Sequence, residues 1–336
     1  MLKFMIKLFW PLIFNFRKYI YPIKLKIYQN KLYDKYDESY CSDYYCGIIL
    51  MFDHNFSQGG FVDRLKGIVS AYYLSKALNI NFRIYFSNEK DPLINIINQS
   101  VIQLITNSKD ICYSKKKSIP VIWYNYLPPK SKSLLIKLRH RKQFHLYTNM
   151  NVLPDLFTNL DDALKCWSNI FNNVFTFSNN YFILPKSSRN YKKKIGLHLR
   201  FTGMLGDFND ISFHNISLIE KNLMIEWCFK NVISLTNKYD DAFISIVSDS
   251  KYFLNILKNY LELNLIRNRV FIDVSYIGHT ATDASGEVFK KTVCDFITLS
   301  ECDKVYQLRY GKMHKSDFSK YACMVNLQDF ELLENV

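Results

Sequence analysis

Four polar clusters stand where apolar runs of the sequence end. Ile195–Leu199 carries His198 and closes on Arg200, in the stretch IGLHLRFTGMLGDFND. AFISIV, residues 242–247, runs into Ser248-Asp249-Ser250. KVYQLRY, residues 304–310, carries Arg309 near its end, and SDFS follows from Ser316 through Phe318 to Ser319. The fourth cluster is Gly59-Gly60 with Asp63 and Arg64, after CGIILMFD. A buried Arg without an anion is costly, so Arg200 calls for one. Its guanidinium can fork two hydrogen bonds onto phosphate oxygens. A helix opening at Ser316 adds backbone N–H groups and the positive end of a dipole, and Ser316 and Ser319 add hydroxyl donors. Asp249, with Ser250 beside it, can accept from a base or a ribose. His198 shares the face of Arg200 by strand alternation. The chemistry this set suits is binding of a nucleotide diphosphate.

The elements needed to position these residues read as alternating strands and helices. CGIILMFD (46–53) is a buried strand. Phe61, Leu65, Ile68, Val69 and Tyr72 recur at helical spacing, which predicts a helix over 61–78 behind the Gly59-Gly60 turn. NFRIYF (81–86) is the next strand, so the unit is βαβ and its sheet parallel. VIWYNYL (121–127) is a further strand candidate, and 151–190 reads as helix then loop, with KSSRNYKKK as a hinge. A second alternation begins at 194 with KIGLHLRF. A helix follows over 217–238, where Ser217 and Glu220 are spaced as a capping box. Then come strand 242–249, a helix in SKYFLNILKNYLE, strand 269–275, helix 286–302, strand 304–310 and a last helix over 316–326. The expected fold is α/β: a leader of residues 1–40, then two Rossmann-like domains, 41–190 and 191–336, facing a cleft. Ligands of open parallel sheets lie outside the carboxyl ends of the strands, which is where all four clusters fall.

Composition narrows the partners. The chain has 336 residues and a net charge of +14, which favours an anionic partner. Residues 1–40 hold eight Lys/Arg against three acids, and residues 109–142 hold ten against Asp110, so these stretches carry +5 and +9 of the excess. The leader mixes large apolar residues with Lys and Arg, but its longest uncharged run is too short to span a bilayer. It either lies in a membrane interface, drawn to anionic headgroups, or packs on the body of the protein. Trp123, Tyr124 and Tyr126 near the second basic run are what base stacking would need, but no RNA-binding motif accompanies them. The eight cysteines are scattered without zinc spacing and read as reduced thiols. No P-loop, GxGxxG or Asp-x-Asp occurs, so ATPase, dinucleotide and carboxylate-held Mg²⁺ readings are disfavoured.

GGFVDRLKGIVSAYYLSKALN, IGLHLRFTGMLGDFND, FISIVSDS and TVCDFITLSECDKVY…SDFSKYA follow one another in that order. In this the chain resembles the fucosyltransferase superfamily, which includes α-1,2-, α-1,6- and nodulation-factor fucosyltransferases and protein O-fucosyltransferases. It resembles the bacterial surface-polysaccharide members most. The resemblance covers residues 46–86 and 194–326, and its second motif corresponds to the family's His-x-Arg-Arg-x-Asp signature. It implies a GT-B fold, a GDP-fucose donor and metal-independent transfer with inversion. By the same resemblance Arg200 holds the donor's β-phosphate, and Ser316, Phe318 and Ser319 lie beside the pyrophosphate. Asp249 marks the nucleotide-side strand end. The chain departs from the signature at Phe201, where a second Arg is usual, and at Gly203, where an Asp is usual. Asp207 and Asp210 follow a few residues on, and Asp207 is the expected general base for the acceptor hydroxyl.

The sequence thus leads to a glycosyltransferase with no metal or other cofactor. Its donor is a GDP-sugar, and its acceptor a glycan or lipid-linked oligosaccharide. The expected location is cytoplasmic, at the inner face of the plasma membrane. Arg200 and Asp207 are the catalytic candidates. His198, Asp249, Ser250, Arg309, Ser316, Phe318 and Ser319 are assigned to the donor, and Gly59, Gly60, Asp63 and Arg64 to the substrate. Another GDP-sugar, or a non-catalytic glycan- or nucleotide-binding protein on the same scaffold, are the alternatives.

Overall fold

The computed structural model describes residues 46–56, 59–114, 116–123, 142–207, 216–263, 269–276 and 286–335, together with Ile27 and Tyr33. The basic leader, most of the basic run 109–142, the expected strand beyond Trp123, and Asp210 lie outside the described residues. The chain divides into two compact units, one gathering residues up to Gly59, Asp63–Asp91 and Asn98–Asn159, the other Gly60–Val62, Pro92–Ile97 and Leu160 onward.

The first unit is a five-stranded, all-parallel sheet. Its strands are β1 (Gly47–Phe52), β2 (Asn81–Phe86), β3 (Ile105–Thr106), β4 (Ser118–Trp123) and β5 (Gln143–Thr148), in the order β3-β2-β1-β5-β4. β1 is buried at all six positions, as its unbroken apolar run GIILMF requires of a strand covered on both faces. Helix α1 (Phe61–Leu78) turns Leu65, Ile68 and Val69 inward, all fully buried. It approaches the end of β5 so closely that a Cβ on Gly67 would lie 2.4 Å from the Thr148 carbonyl oxygen. β5 is buried throughout although it carries Gln143 and His145. Both are satisfied internally. His145 Nε2 and the Cys112 N–H each lie 2.6 Å from Gln143 Oε1, and the Tyr33 hydroxyl meets His145 Nδ1 at 2.5 Å. Burial pushes the His145 imidazole down to about 3.

The second unit repeats the plan. Its strands are β6 (Lys194–Leu199), β7 (Phe243–Ser248), β8 (Val270–Ile272), β9 (Lys304–Tyr310) and β10 (Asp329–Asn335), all parallel, in the order β10-β9-β6-β7-β8. On one face Ile195, Leu197 and Leu199 pack with Ile244, Ile246 and Leu308. Met224, Cys228 and Val232 of α3 (Leu218–Lys238) and Phe253, Leu254 and Leu257 of α4 (Lys251–Leu263) complete that core. The capping box at the start of α3 is present: Ser217 Oγ accepts the Glu220 N–H at 3.2 Å, and Glu220 Oε2 accepts the Ser217 N–H at 2.9 Å. The other face takes α5 (Gly286–Ser300) and α6 (Phe318–Asn326). There a Cβ on Gly196 would lie 2.8 Å from Leu299.

Helix α2 (Leu160–Val174) belongs to the second unit, so the compact units part at residue 159 where the sequence placed the domain boundary at 190. Trp167 stacks edge-on against Tyr321, and Ser168 Oγ donates to the Val325 carbonyl at 2.6 Å. Periodicity reveals that a helix has an apolar face, not which element covers it. Among the described residues six cysteines are free thiols, but Cys112 is disulfide-bonded, which corrects the expectation of wholly reduced thiols. No helix among the described residues is long and apolar enough to cross a membrane.

Candidate functional site: an arginine locked at the end of β6

In the second sheet the chain leaves β6 outward through β7 and β8, then returns on the other side with β9 and β10. Strand order therefore reverses between β6 and β9, and the carboxyl ends of those two strands flank the place where ligands of such sheets lie. Strand alternation sends Leu197 and Leu199 into the core and His198 to the opposite face. His198 is 4% exposed, with Nδ1 2.9 Å from Ser319 Oγ and its ring 5.5 Å from that of Phe318. Burial first, then the charges of Arg200 and His314, push its imidazole down to about 3, so it is neutral at pH 7.

Arg200 is the first residue past β6. Its Nε lies 3.4 Å from Asp249 Oδ2, with 19% of the Arg side chain and 7% of the Asp side chain exposed. Asp249 also accepts the Phe201 N–H at 2.7 Å and the Thr202 N–H at 2.8 Å. One carboxylate thus closes a turn and fixes the guanidinium. The turn is bent hard: Thr202 has φ +52° and Gly203 φ +76°. The left-handed conformation costs a non-glycine residue about 1–2 kcal/mol, and the Asp249 bonds offset it. Phe201, the next residue, is fully buried against Phe253 at 5.1 Å.

The structure gives several of the expected site residues partners within the protein. Asp249, expected to accept from a base or ribose, holds the turn and Arg200. Asp207, expected as general base, caps α4: Oδ1 accepts the Tyr252 N–H at 2.8 Å and Oδ2 the Ser250 hydroxyl at 2.5 Å. Ser250 is occupied in that cap and also accepts the Phe253 N–H at 3.1 Å. Arg309 braces the sheet edge, donating from Nε to the Met313 carbonyl and from Nη1 to Glu334 on β10, both at 2.9 Å. Ser316 accepts the Phe318 N–H at 3.2 Å and so orders the entry to α6. His198, Phe318 and Ser319 do come together, as do Arg200 and Asp249.

The Gly59-Gly60 cluster lies at the start of α1. Gly59 has φ +75°, and a Cβ there would lie 2.1 Å from Asp63 Oδ2, so the Asp63 carboxylate folds back over the turn. Asp63 also pairs with Lys66 at 2.7 Å. Arg64 Nη1 meets both oxygens of Asp91 at 3.2 Å, while its buried Nε has no hydrogen-bond partner. The sequence reading did not single out a buried charged group in the second unit. Lys291 contacts Asp295 one helical turn on and lies 3.8 Å from Asp273, the residue after β8. Burial pushes the Asp295 carboxyl up to about 6, partly countered by Lys291. The i,i+4 spacing of a Lys and an Asp on an apolar helix was the signal available. Among the described residues no group of three or more His, Cys, Asp or Glu is placed to hold a metal ion.

No protein-family model and no curated sequence matches the chain. Among solved structures the chain is similar to that of NodZ α-1,6-fucosyltransferase co-crystallized with GDP, with 13% identity and a TM-score of 0.49, covering 87% of this chain and 95% of that one. It is also similar to POFUT1 in complex with GDP-fucose, with 9% identity and a TM-score of 0.43, covering 87% and 98% of the two chains. POFUT1 in complex with GDP gives 9% identity, a TM-score of 0.43 and coverage of 85% and 98%.

Proposed function

We propose that the chain is an inverting, metal-independent glycosyltransferase of GT-B architecture that moves L-fucose from GDP-fucose to a glycan hydroxyl. The observation that carries this reading is the lock of Arg200 by Asp249 at the reversal point of the second sheet. As the sugar–phosphate bond breaks, negative charge builds on the departing diphosphate. A cation already held in place stabilises that charge without reorganising. The first turn of α6 adds backbone N–H groups on the β9 side. A neutral His198 leaves the positive charge of the site to Arg200. The order of the four sequence motifs supports fucose as the sugar, and the lack of any Asp-x-Asp in the sequence supports a metal-free reaction. The basic stretches 1–40 and 109–142 support a lipid-linked acceptor at an anionic bilayer, in synthesis of a bacterial surface polysaccharide at the inner face of the plasma membrane.

Calorimetry with GDP, UDP, CMP and GDP-fucose in EDTA tests the donor side. GDP-selective binding, weakened at least tenfold by Arg200→Ala, is expected. Binding of UDP alone, or of none of the four, overturns the reading.

A further inference from the structure

Strand β9 buries an amide whose donor is unmet. Gln307 is 1% exposed, and its Nε2 has no hydrogen-bond partner. Buried polar groups are normally paired, so a lone one on a regular strand calls for a reason. Its place on the sheet supplies one. Tyr306 and Leu308, its neighbours along β9, belong to the core formed with α3 and α4. Alternation turns Gln307 to the other face, where it is level with His198 in the register of β6 and β9. We infer that Gln307 is a specificity residue of the donor site and gives its amide hydrogen to a carbonyl oxygen of the nucleobase, an inference that rests on the GDP-sugar reading.

The groups around this level are neutral and flat. His198 Nδ1 meets Ser319 Oγ at 2.9 Å, and its ring lies 5.5 Å from that of Phe318. Phe296 of α5 closes edge-on against Phe318 at 5.6 Å. An uncharged imidazole, a hydroxyl and two aromatic rings suit a flat, uncharged ring system. A diphosphate suits Arg200, which stands two residues past His198 and so about 7 Å further along the chain. A base attached to a diphosphate at Arg200 lies within reach of the level of His198 and Gln307. There an amide donor discriminates in a way that a cation does not. It rewards a carbonyl acceptor and is left unpaired when the ligand lacks one. In the empty protein the same unpaired amide is a cost to stability, as expected of a binding group kept ready.

Isothermal titration of the full chain tests this with three probes: GDP, 2-aminopurine riboside diphosphate, which lacks the base carbonyl, and inorganic pyrophosphate. The wild type is expected to bind GDP about tenfold more tightly than the analogue. Gln307→Met keeps the length of the side chain but cannot donate. In that variant the ratio is expected to fall to within twofold, while pyrophosphate affinity stays within twofold of the wild type. Because Met removes an unmet donor, the melting temperature of the ligand-free variant should equal or exceed that of the wild type. A ratio that survives in the variant, or a wild type that binds GDP and the analogue alike, overturns the inference and leaves the donor reading standing. A lower melting temperature marks Gln307 as a structural group and overturns it too. A wild type that fails to bind GDP removes the GDP-sugar reading and this inference with it. Should Gln307→Met fail to fold, Gln307→Leu carries the same comparison, and failure of both overturns the assignment.

Discussion

Asp249 accepts two successive backbone N–H groups, those of Phe201 and Thr202, and also holds the Nε of Arg200. Removing the carboxylate therefore acts on stability and ligand affinity together. Asp249→Ala leaves two amides without their acceptor and frees the turn at Thr202, and is expected to cost about 3 kcal/mol of stability. Asp249→Asn keeps one acceptor oxygen and should cost about half as much. Urea denaturation measures both, and equal stability of the three proteins would show that the turn does not depend on Asp249.

Arg200→Lys separates charge from geometry. An ammonium keeps the charge but cannot present a guanidinium's planar fork. GDP affinity is expected to fall by about tenfold, the loss of one charge-assisted hydrogen bond, with stability unchanged. Isothermal titration at matched ionic strength reads this directly. Wild-type affinity in the Lys variant would mean that the site uses Arg200 only as a point charge.

Phe201 is a core residue, and placing an Arg there is expected to unfold the second unit, since an unpaired cation would be buried beside Phe253. Phe201→Ala should cost about 3–5 kcal/mol as a large cavity opens. Thermal melting of both variants checks the claim. A stable Phe201→Arg protein with tighter GDP binding would contradict it.

Acid should destabilise the protein through its buried histidines. His145 and His198 have ordinary values near 6.5 and folded values of about 3, lowered by burial, with the charges of Arg200 and His314 adding at His198. Between those limits the unfolded chain binds the protons and the folded one does not, so stability is full above about pH 7. It then falls by about 1.4 kcal/mol per pH unit for each His. Asp295 runs the other way, because its raised value of about 6 lets the folded state take a proton first. Together they predict a loss of about 3 kcal/mol between pH 7 and pH 5, readable from denaturation midpoints at the two values. A midpoint that rises on acidification would mean that neither imidazole is held neutral.

The elements with regular apolar spacing were the most legible. Helix 61–78 and strands 81–86 and 304–310 fall where apolar spacing placed them, and the Ser217–Glu220 capping box forms as its spacing predicts. β5 was missed because Gln143 and His145 interrupt its apolar pattern, and their mutual hydrogen bonds, which make burial tolerable, are not visible in a linear sequence. β10 was missed because DFELLEN is acidic; it is an edge strand that Arg309 and Lys304 hold through Glu334 and Glu331. At the site, Arg200 was readable from its place after an apolar run. The cap that Asp207 makes on α4 was not, since its partners Ser250 and Tyr252 lie more than forty residues away.

The bond from Ser168 to the Val325 carbonyl, 157 residues further along, sets a schedule for biosynthesis. Helix α2 emerges from the ribosome long before the α6 surface that covers Trp167 exists. At usual elongation rates that interval is about 8 to 30 s, far longer than helix formation or chain collapse takes. Through that interval an aromatic helix face stays open to holding chaperones and to other nascent chains.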